Sequence, residues 1–137
     1  MKILIDGDSC PVLDIAERLA FRRAVECTVV HDTDHELHPE HSEQIMVSKG
    51  PDSADFRIMN LVQPGDIVVT QDIKLAWVLT SMGAYVMDHD GVLYTDYTDP
   101  HARFRLPKRT WQQDAAFYYA LSDLIWTLSA DADGETG

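Results

Sequence analysis

The sequence contains only two cysteines, Cys10 and Cys27, among its 137 residues. Two cysteines are too few for a disulfide framework, and these two do not form a Cys-x-x-Cys pair. The scarcity excludes the small disulfide-stapled folds of secreted domains. Reduced thiols in a cytoplasmic protein are the simplest explanation of this cysteine usage.

Long hydrophobic runs are also missing. No apolar stretch approaches the ~18 residues that a membrane-spanning helix needs. The first six residues, Met-Lys-Ile-Leu-Ile-Asp, do not form the apolar core of a signal peptide. These absences predict a soluble cytoplasmic protein with no membrane partner.

Basic residues are scarce, since 11 Lys and Arg stand against 23 Asp and Glu, for a formal net charge of −12. Such a surface repels nucleic acid and anionic membranes at long range. Four of the basic residues fall within seven positions: Arg103, Arg105, Lys108 and Arg109. Two interpretations of this strip stay open. It is either a local phosphate-binding site for a nucleic-acid substrate or a solvated connector that pairs with nearby acids.

The length and the 45% hydrophobic content fit one domain. Short apolar strands are predicted at residues 3–5, 28–30, 45–47, 67–69, 84–87 and 92–94, the last joined by a hairpin turn at Asp90-Gly91. Helices are predicted from about residues 11, 53, 73 and 111. This alternation predicts a three-layer α/β/α fold with a mainly parallel central sheet and a C-terminal helix. The domain is expected at residues 1–129, followed by a disordered acidic tail at residues 130–137.

Two smaller features of the pattern concern histidine and tryptophan. Residues 31–43 are polar and rich in histidine, and they are predicted to form a loop rather than a zinc site, although His31, His35, His38 and His41 lie within it. Trp77, Trp111 and Trp126 lie on helical stripes and are predicted to pack in the core.

Acidic residues follow the predicted strands at the points where they end. Asp6 and Asp8 come after the first strand, Asp72 after the strand at residues 67–69, and Asp88 after the strand at residues 84–87. Asp55 lies in the first turn of a predicted helix. Sites in open parallel sheets lie beyond the carboxyl ends of the strands, so these five side chains are expected to converge.

Converging carboxylates require compensation. Two unit charges ~4 Å apart repel by roughly 4 kcal/mol at an effective dielectric constant of 20. Either protons or a cation must cancel this repulsion. Hard oxygen ligands without a nearby His-Cys set favour Mg²⁺ or Mn²⁺ over zinc. A pair of such ions can activate water and hold a phosphodiester in line for hydrolysis.

Each acid also has a structural explanation. Asp8 and Asp72 are in position to cap the helices that follow them, and Asp55 is favourable at a helix N-terminus. Asp88 stands next to Asp90-Gly91 as a turn acid would. Asp6 is the hardest to explain structurally, because it ends a buried strand where an unpaired charge costs several kcal/mol.

Five segments carry a recognisable pattern. They read Asp6-Gly-Asp8-Ser-Cys10-Pro11, Gly50-Pro-Asp52-Ser-Ala54-Asp55, Gly65-Asp66-Ile-Val68-Val69-Thr70-Gln-Asp72-Ile73-Lys-Leu75-Ala76, Gly83-Ala84 and Gly91-Val-Leu93-Tyr94-Thr95. In these segments, which cover about residues 1–98, the sequence resembles the bacterial YaiI/YqxD family. Asp114, Phe117 and Leu121 resemble a remnant of that family's C-terminal helix.

The resemblance implies a fold similar to the PIN-like nuclease domains, in which a Thr-x-Asp pattern follows the fourth strand. It implies that Asp6, Asp55 and Asp72 bind metal, with Asp8 or Asp88 completing the site. Asp88 stands where the family tends to have Asn. The sequence also departs from the family between residues 98 and 110, where a longer segment containing Gly and Pro is expected.

The leading hypothesis is a Mg²⁺- or Mn²⁺-dependent phosphodiesterase that acts on RNA, with Asp6, Asp55 and Asp72 as catalytic residues. A second hypothesis is a phosphatase similar to the haloacid dehalogenases, with Asp6 as nucleophile and Asp8 as acid/base. A third is a regulatory module that binds metal or nucleotide without turnover. The oligomeric state is left open by the sequence.

Overall fold

The computed structural model describes residues 1–8, 10–32, 40–50, 52–96 and 108–136. Five strands, four α-helices and one short 3₁₀ helix follow one another in these residues. In chain order they are β1 (Lys2–Asp6), α1 (Leu13–Arg22), β2 (Glu26–Asp32), β3 (Glu43–Val47), α2 (Ser53–Leu61), β4 (Ile67–Val69), α3 (Ile73–Ser81), β5 (Tyr85–Met87), the 3₁₀ helix η1 (Tyr94–Asp96) and α4 (Trp111–Thr136).

The five strands form one sheet in the order β3-β2-β1-β4-β5, and every pairing in it is parallel. Ile5 of β1 lies opposite Val29 of β2 and Val69 of β4, so the carboxyl ends of these strands reach the same edge. The strand order reverses direction between β1 and β4. In an open parallel sheet, that switch point is where a crevice for a site opens.

Helices cover both faces of the sheet. Ile3 and Ile5 of β1 belong to the core under α1 and α4, whereas Leu4 belongs to the core under α2 and α3. Side chains alternate along a strand, so Asp6 projects to the same face as Leu4. The predicted three-layer α/β/α architecture with a C-terminal helix is therefore confirmed. It also places the side chain of Asp6, at the end of β1, on the face of the sheet that α2 and α3 cover.

Strand β2 is longer than the sequence predicts. His31 and Asp32, predicted to begin a loop, belong to the strand, and His31 is fully buried. Its Nδ1 lies 2.8 Å from the Asp32 carbonyl oxygen, and Gln44 Nε2 lies 2.6 Å from its Nε2. These partners satisfy the ring, which is why a histidine is tolerated inside the sheet. Of the rest of the predicted loop, residues 33–39 lie outside the described residues, and Glu43 already belongs to β3.

The predicted strand at residues 92–94 is wrong. After β5 the chain turns at residues 88–91, makes one isolated antiparallel bridge between Met87 and Leu93, and enters η1 at Tyr94. Gly91 has φ +86°, and a Cβ there would lie 2.7 Å from the Ala116 carbonyl oxygen of α4. The turn thus packs directly on α4, and this close contact bends the chain away from an extended strand.

Helix α4 packs through Phe117, Leu121 and Ile125, all buried in the core under α1 and α4. Trp111 and Trp126 are 73% and 66% exposed, so the prediction that they pack in the core is wrong, because they lie off this buried stripe. Trp77 of α3 is also exposed, at 44%. Because α4 extends to Thr136, it includes most of the predicted tail; the expected disorder of that tail and the domain limits stay predictions.

Within the described ranges, no helix combines the length and the apolar character required to cross a bilayer.

Candidate functional site

The ends of β1 and β4 meet through the hydroxyl group of Thr70. The register of the two strands places Asp6 next to Thr70, one residue beyond the Ile5–Val69 pair. Thr70 Oγ1 donates a hydrogen bond to Asp6 Oδ2 at 2.8 Å and accepts one from the Asp72 backbone N–H at 3.1 Å. A single buried hydroxyl group therefore orients the carboxylate of one strand end and the backbone of the next.

Asp72 occupies the N-cap position of α3. Its Oδ1 accepts a hydrogen bond from the Leu75 backbone N–H at 3.1 Å, so the capping explanation is confirmed. The carboxylate also lies near Asp55 in the first turn of α2, because its charge is the largest cause, after burial, of the raised pKa of Asp55. Capping and convergence on a shared site therefore hold together for Asp72.

Asp6 and Asp55 both have raised pKa values. Burial is the main cause for Asp6, whose pKa rises to about 6; the Thr70 hydrogen bond opposes this rise, and the charges of Asp8 and Asp72 add to it. For Asp55, burial again comes first, followed by the charges of Asp72 and Asp6, and its pKa also rises to about 6. Mutual effects of this kind require the acids to be neighbours. The structure thus brings Asp6, Asp55 and Asp72 together.

Asp8 borders this group of acids but does not cap α1. The N-cap position of α1 is Val12, without a side-chain cap, so the capping explanation for Asp8 is wrong. The two carboxylate oxygens of Asp8 lie 3.3 and 3.4 Å from the backbone nitrogen of Asp32, at the end of β2. Its charge contributes to the raised pKa of Asp6, so it lies close enough to the strand end to influence a cation there.

Asp88 makes the contacts of a turn acid. Its side chain is buried, and its Oδ1 accepts hydrogen bonds from the backbone N–H groups of Asp90 and Val92, at 2.8 and 2.9 Å. These bonds close the turn that follows β5, so the structural explanation is confirmed for this residue. Its role as a metal ligand stays a prediction.

The four predicted substrate-binding residues divide into three cases. Arg103 and Arg105 lie outside the described residues. Lys108 is exposed immediately before α4. Arg109 is the fourth, and its surroundings are those of a connector rather than of a free cation.

The guanidinium group of Arg109 ties the start of α4 to the turn after β5. Its Nε donates to Asp114 Oδ1 at 2.7 Å, its Nη1 to Asp90 Oδ1 at 3.2 Å, and its Nη2 to the His89 carbonyl oxygen at 2.5 Å. All three nitrogens therefore have a partner within the protein. A phosphate would have to displace one of these partners before Arg109 could bind it.

Two residues of this site were not predicted individually from the sequence. Thr70 is fully buried, and only the Thr-x-Asp pattern of the resemblance points to it. Tyr94 is also buried, and its hydroxyl group donates to the Thr70 carbonyl oxygen at 2.9 Å. Tyr94 lies in a segment that carries the resemblance, but nothing in that segment predicts its contact with Thr70, which spans 24 residues and depends on the tertiary fold.

The donor chemistry of the site fits a hard divalent cation, because every side chain that converges on it offers oxygen. In the part of the chain that the structure describes, however, no three His, Cys, Asp or Glu side chains are arranged to hold a metal ion. Cation binding there would therefore require the carboxylates to move closer around a common point. The carboxylates are thus neighbours, but their arrangement in this structure is not that of the ligands of a metal ion.

Comparison with known proteins gives consistent matches to bacterial sequences. A family model described as "Uncharacterized BCR, YaiI/YqxD family" matches residues 4–116. A "UPF0178 protein" of Oceanobacillus iheyensis is 44% identical over 100 residues, which cover 71% of this chain and 68% of that protein. One from Ruminiclostridium cellulolyticum is 43% identical over 96 residues, which cover 70% of this chain and 63% of that protein.

Another "UPF0178 protein", from Natranaerobius thermophilus, is 42% identical over 141 aligned positions, which cover 91% of this chain and 96% of that protein. The matched stretch is thus nearly complete in this relative but spans under two thirds of the Ruminiclostridium protein. No solved structure matches the chain significantly. The names of these relatives state no activity, so the comparisons show which family the chain belongs to and no more.

Proposed function

Because the chain belongs to the YaiI/YqxD family of bacterial proteins, whose fold the resemblance links to PIN-like nucleases, we propose that it is a Mg²⁺- or Mn²⁺-dependent phosphodiesterase. Its proposed substrate is RNA in the cytoplasm. The observation that carries the proposal is the convergence of Asp6, Asp55 and Asp72 at the switch point of the sheet.

Asp6 and Asp72 would hold the cation, and Asp55 would hold a second ion or orient the attacking water. When bound, the cation supplies Lewis-acid stabilisation of the charge that develops on the phosphodiester. The protein contributes orientation, because Thr70 fixes the Asp6 carboxylate through a 2.8 Å hydrogen bond. Asp8, next to Asp6, would adjust the negative potential at the site.

The raised pKa of Asp55, next to Asp72 and Asp6, supports this assignment. Near neutral pH, a carboxyl group with a pKa of about 6 loses its proton, and the repulsion between the acids then needs another positive charge. A divalent cation meets that need and lowers the proton affinity of its ligands. The arrangement is therefore the one expected of a site that takes up a cation above about pH 6 and protons below it.

The acidic surface is the main obstacle to an RNA substrate, since the net charge is −12. A bound cation reduces the negative charge where the phosphodiester must approach. Lys74, exposed in the first turn of α3, lies two residues beyond Asp72 and adds a positive charge on the same helix end. Phosphate contacts by so few cations predict weak, moderately salt-dependent binding.

The direct test is hydrolysis of a labelled single-stranded RNA in the presence of Mn²⁺. Asp6→Asn and Asp72→Asn are each expected to reduce the rate at least about 100-fold, since even outer-shell partners of a metal cost roughly 10- to 100-fold. Asp123→Asn is the matched control, because Asp123 is an exposed acid of α4, on the opposite layer of the fold. It is expected to retain the wild-type rate. Hydrolysis that survives both site substitutions would contradict the assignment.

A binding module without turnover is the second candidate. It is favoured by the absence, among the described residues, of three acids already arranged around a metal position. Calorimetric titration with Mn²⁺ separates the two, because a module binds the ion but hydrolyses no member of a panel of RNA, DNA and nucleotides. The phosphatase hypothesis stays a prediction, and trapping of a phosphoryl mimic on Asp6 would support it instead.

A further inference from the structure

Tyr94 connects the core of the protein to the candidate metal site. It begins η1 after the turn that follows β5, and it is 1% exposed. Its ring belongs to the core between the sheet and helices α2 and α3. Its hydroxyl group donates a hydrogen bond to the carbonyl oxygen of Thr70 at 2.9 Å.

Thr70 is held at each of its polar atoms. Its backbone N–H donates to the Met87 carbonyl oxygen at 3.1 Å, and its carbonyl accepts from Tyr94. Its hydroxyl group donates to Asp6 and accepts from the Asp72 backbone N–H. Because Thr70 is fully buried, its carbonyl cannot rely on bulk water for a partner. Tyr94 supplies the partner that the short strand β4 leaves open at its end.

We propose that Tyr94 is a positioning residue of the metal site. By fixing the carbonyl of Thr70, it fixes the orientation of the peptide unit that leads to Asp72 and of the hydroxyl group that binds Asp6. Its route to the two carboxylates runs through Thr70, whose carbonyl oxygen accepts a hydrogen bond from the tyrosine hydroxyl group. The inference rests on the proposed metal-dependent function, to which it assigns a further residue.

The turn after β5 determines where Tyr94 lies. The carboxylate of Asp88 accepts the backbone N–H groups of Asp90 and Val92, and the Asp88 backbone N–H donates to the Val92 carbonyl oxygen at 3.0 Å. Tyr94 follows two residues later. Asp88 therefore contributes to the site indirectly, because it holds the turn that positions the Tyr94 hydroxyl group.

The test uses Tyr94→Phe, which removes the hydroxyl group and keeps the buried ring. Mn²⁺ affinity is measured by calorimetry well below the melting temperature, where both proteins are fully folded. The affinity is expected to fall about tenfold, the lower end of the effect of removing an outer-shell partner. Tyr119→Phe, at a tyrosine of α4 that is 66% exposed, is the matched control and is expected to bind as the wild type does. Unchanged affinity in Tyr94→Phe would overturn the proposal.

A double-mutant cycle with Thr70→Val shows whether Tyr94 acts through Thr70. The valine keeps the shape of the side chain but can hold neither Asp6 nor the Asp72 amide. In that background, Tyr94→Phe is expected to change Mn²⁺ affinity by clearly less than tenfold, because the part of its effect that passes through the Thr70 hydroxyl group is gone. An undiminished tenfold effect would mean that Tyr94 acts by another route, and the proposal would be wrong.

Amide hydrogen exchange provides a readout that needs no metal. Tyr94→Phe is expected to accelerate exchange of the Asp72 amide about tenfold, with no change at the β1 amides, because the bond to Thr70 Oγ1 loosens. If the wild type binds no Mn²⁺, the proposed function fails, and this measurement still decides whether Tyr94 orders the strand end. Unchanged protection of the Asp72 amide would overturn the positioning role independently.

Discussion

Replacement of Asp6 by Asn is expected to stabilise the metal-free protein. The carboxylate of Asp6 is largely buried at the end of β1, and its pKa is raised from 3.8 to about 6. The folded protein therefore binds this proton more tightly than the unfolded chain does. The stabilising contribution of the protonated group is fully present below about pH 4 and is lost as the pH rises through about 6.

The size of the effect follows from the two pKa values. A rise from 3.8 to about 6 corresponds to about 3 kcal/mol of unfavourable free energy for the charged form, at about 1.4 kcal/mol per pKa unit. An asparagine at position 6 keeps an oxygen that accepts the Thr70 hydrogen bond and carries no charge. Near pH 8, Asp6→Asn is expected to raise the free energy of unfolding by about 3 kcal/mol, or roughly 10 °C in melting temperature for a chain of this size.

The assay is thermal unfolding, followed by circular dichroism, of both proteins in a chelating buffer from about pH 4 to about pH 8. The difference in melting temperature is expected to be near zero at the acidic end and to grow through the pKa of about 6. Two results would refute the reasoning. One is a variant less stable than the wild type near pH 8; the other is a gain that does not change with pH.

Two further predictions follow from the same contacts. Mn²⁺ is expected to raise the melting temperature of the wild type near pH 8 but not near pH 5, because at the lower pH Asp6 and Asp55, with pKa values of about 6, hold protons that exclude the ion. Melting temperatures measured with and without the ion test this. An equal gain at both pH values would contradict it. Gly91→Ala is expected to reduce the free energy of unfolding by about 3 kcal/mol, because its Cβ would lie 2.7 Å from the Ala116 carbonyl oxygen at a φ of +86°. Urea unfolding measures the loss, with Gly65→Ala as the control, since φ there is +89° but nothing lies within 4 Å of the added Cβ. The control is expected to lose only about 1 kcal/mol of unfolding free energy. Equal losses in the two variants would refute the packing argument.

The parts of the fold that were predicted correctly are those with a strong local signal. The apolar run Ile67–Val69 is predicted and observed as a buried strand, and the helix after it begins at Ile73 as expected. The N-cap role of Asp72 follows in the same way from its position before an apolar helical stripe. Short-range rules suffice at these positions because the interactions that decide them lie within a few residues.

The errors arose where contacts distant in sequence decide the structure. Histidine is usually a surface residue in a polar stretch, yet His31 lies inside β2, because Gln44 of β3 provides a partner for its ring. Trp111 was assigned to the core from helical spacing alone, but the rotation of α4 is set by Phe117 and the residues that pack with it. Helical spacing indicates a stripe without indicating which stripe meets the sheet.

The candidate site divides in the same manner. That acids follow the strands is visible in the sequence, and the resemblance adds which of them belong together. That Asp55 reaches Asp72, or that the Tyr94 hydroxyl group reaches the Thr70 carbonyl, is not visible in any local pattern. Arg109 is the opposite case. Its charge suggests a phosphate-binding role in the sequence, but in the structure its three nitrogens bind Asp114, Asp90 and the His89 carbonyl oxygen.

The sequence by itself determined the α/β class, the acidic character and the carboxylates at the strand ends, because periodicity, composition and strand termination are properties of neighbouring residues. Only the tertiary structure decided that β1 lies next to β4, which makes one hydroxyl group serve two acids and raises the pKa values of Asp6 and Asp55. The physical reason is that burial and Coulomb interactions depend on distances in space, and strand order sets those distances between segments far apart in the chain.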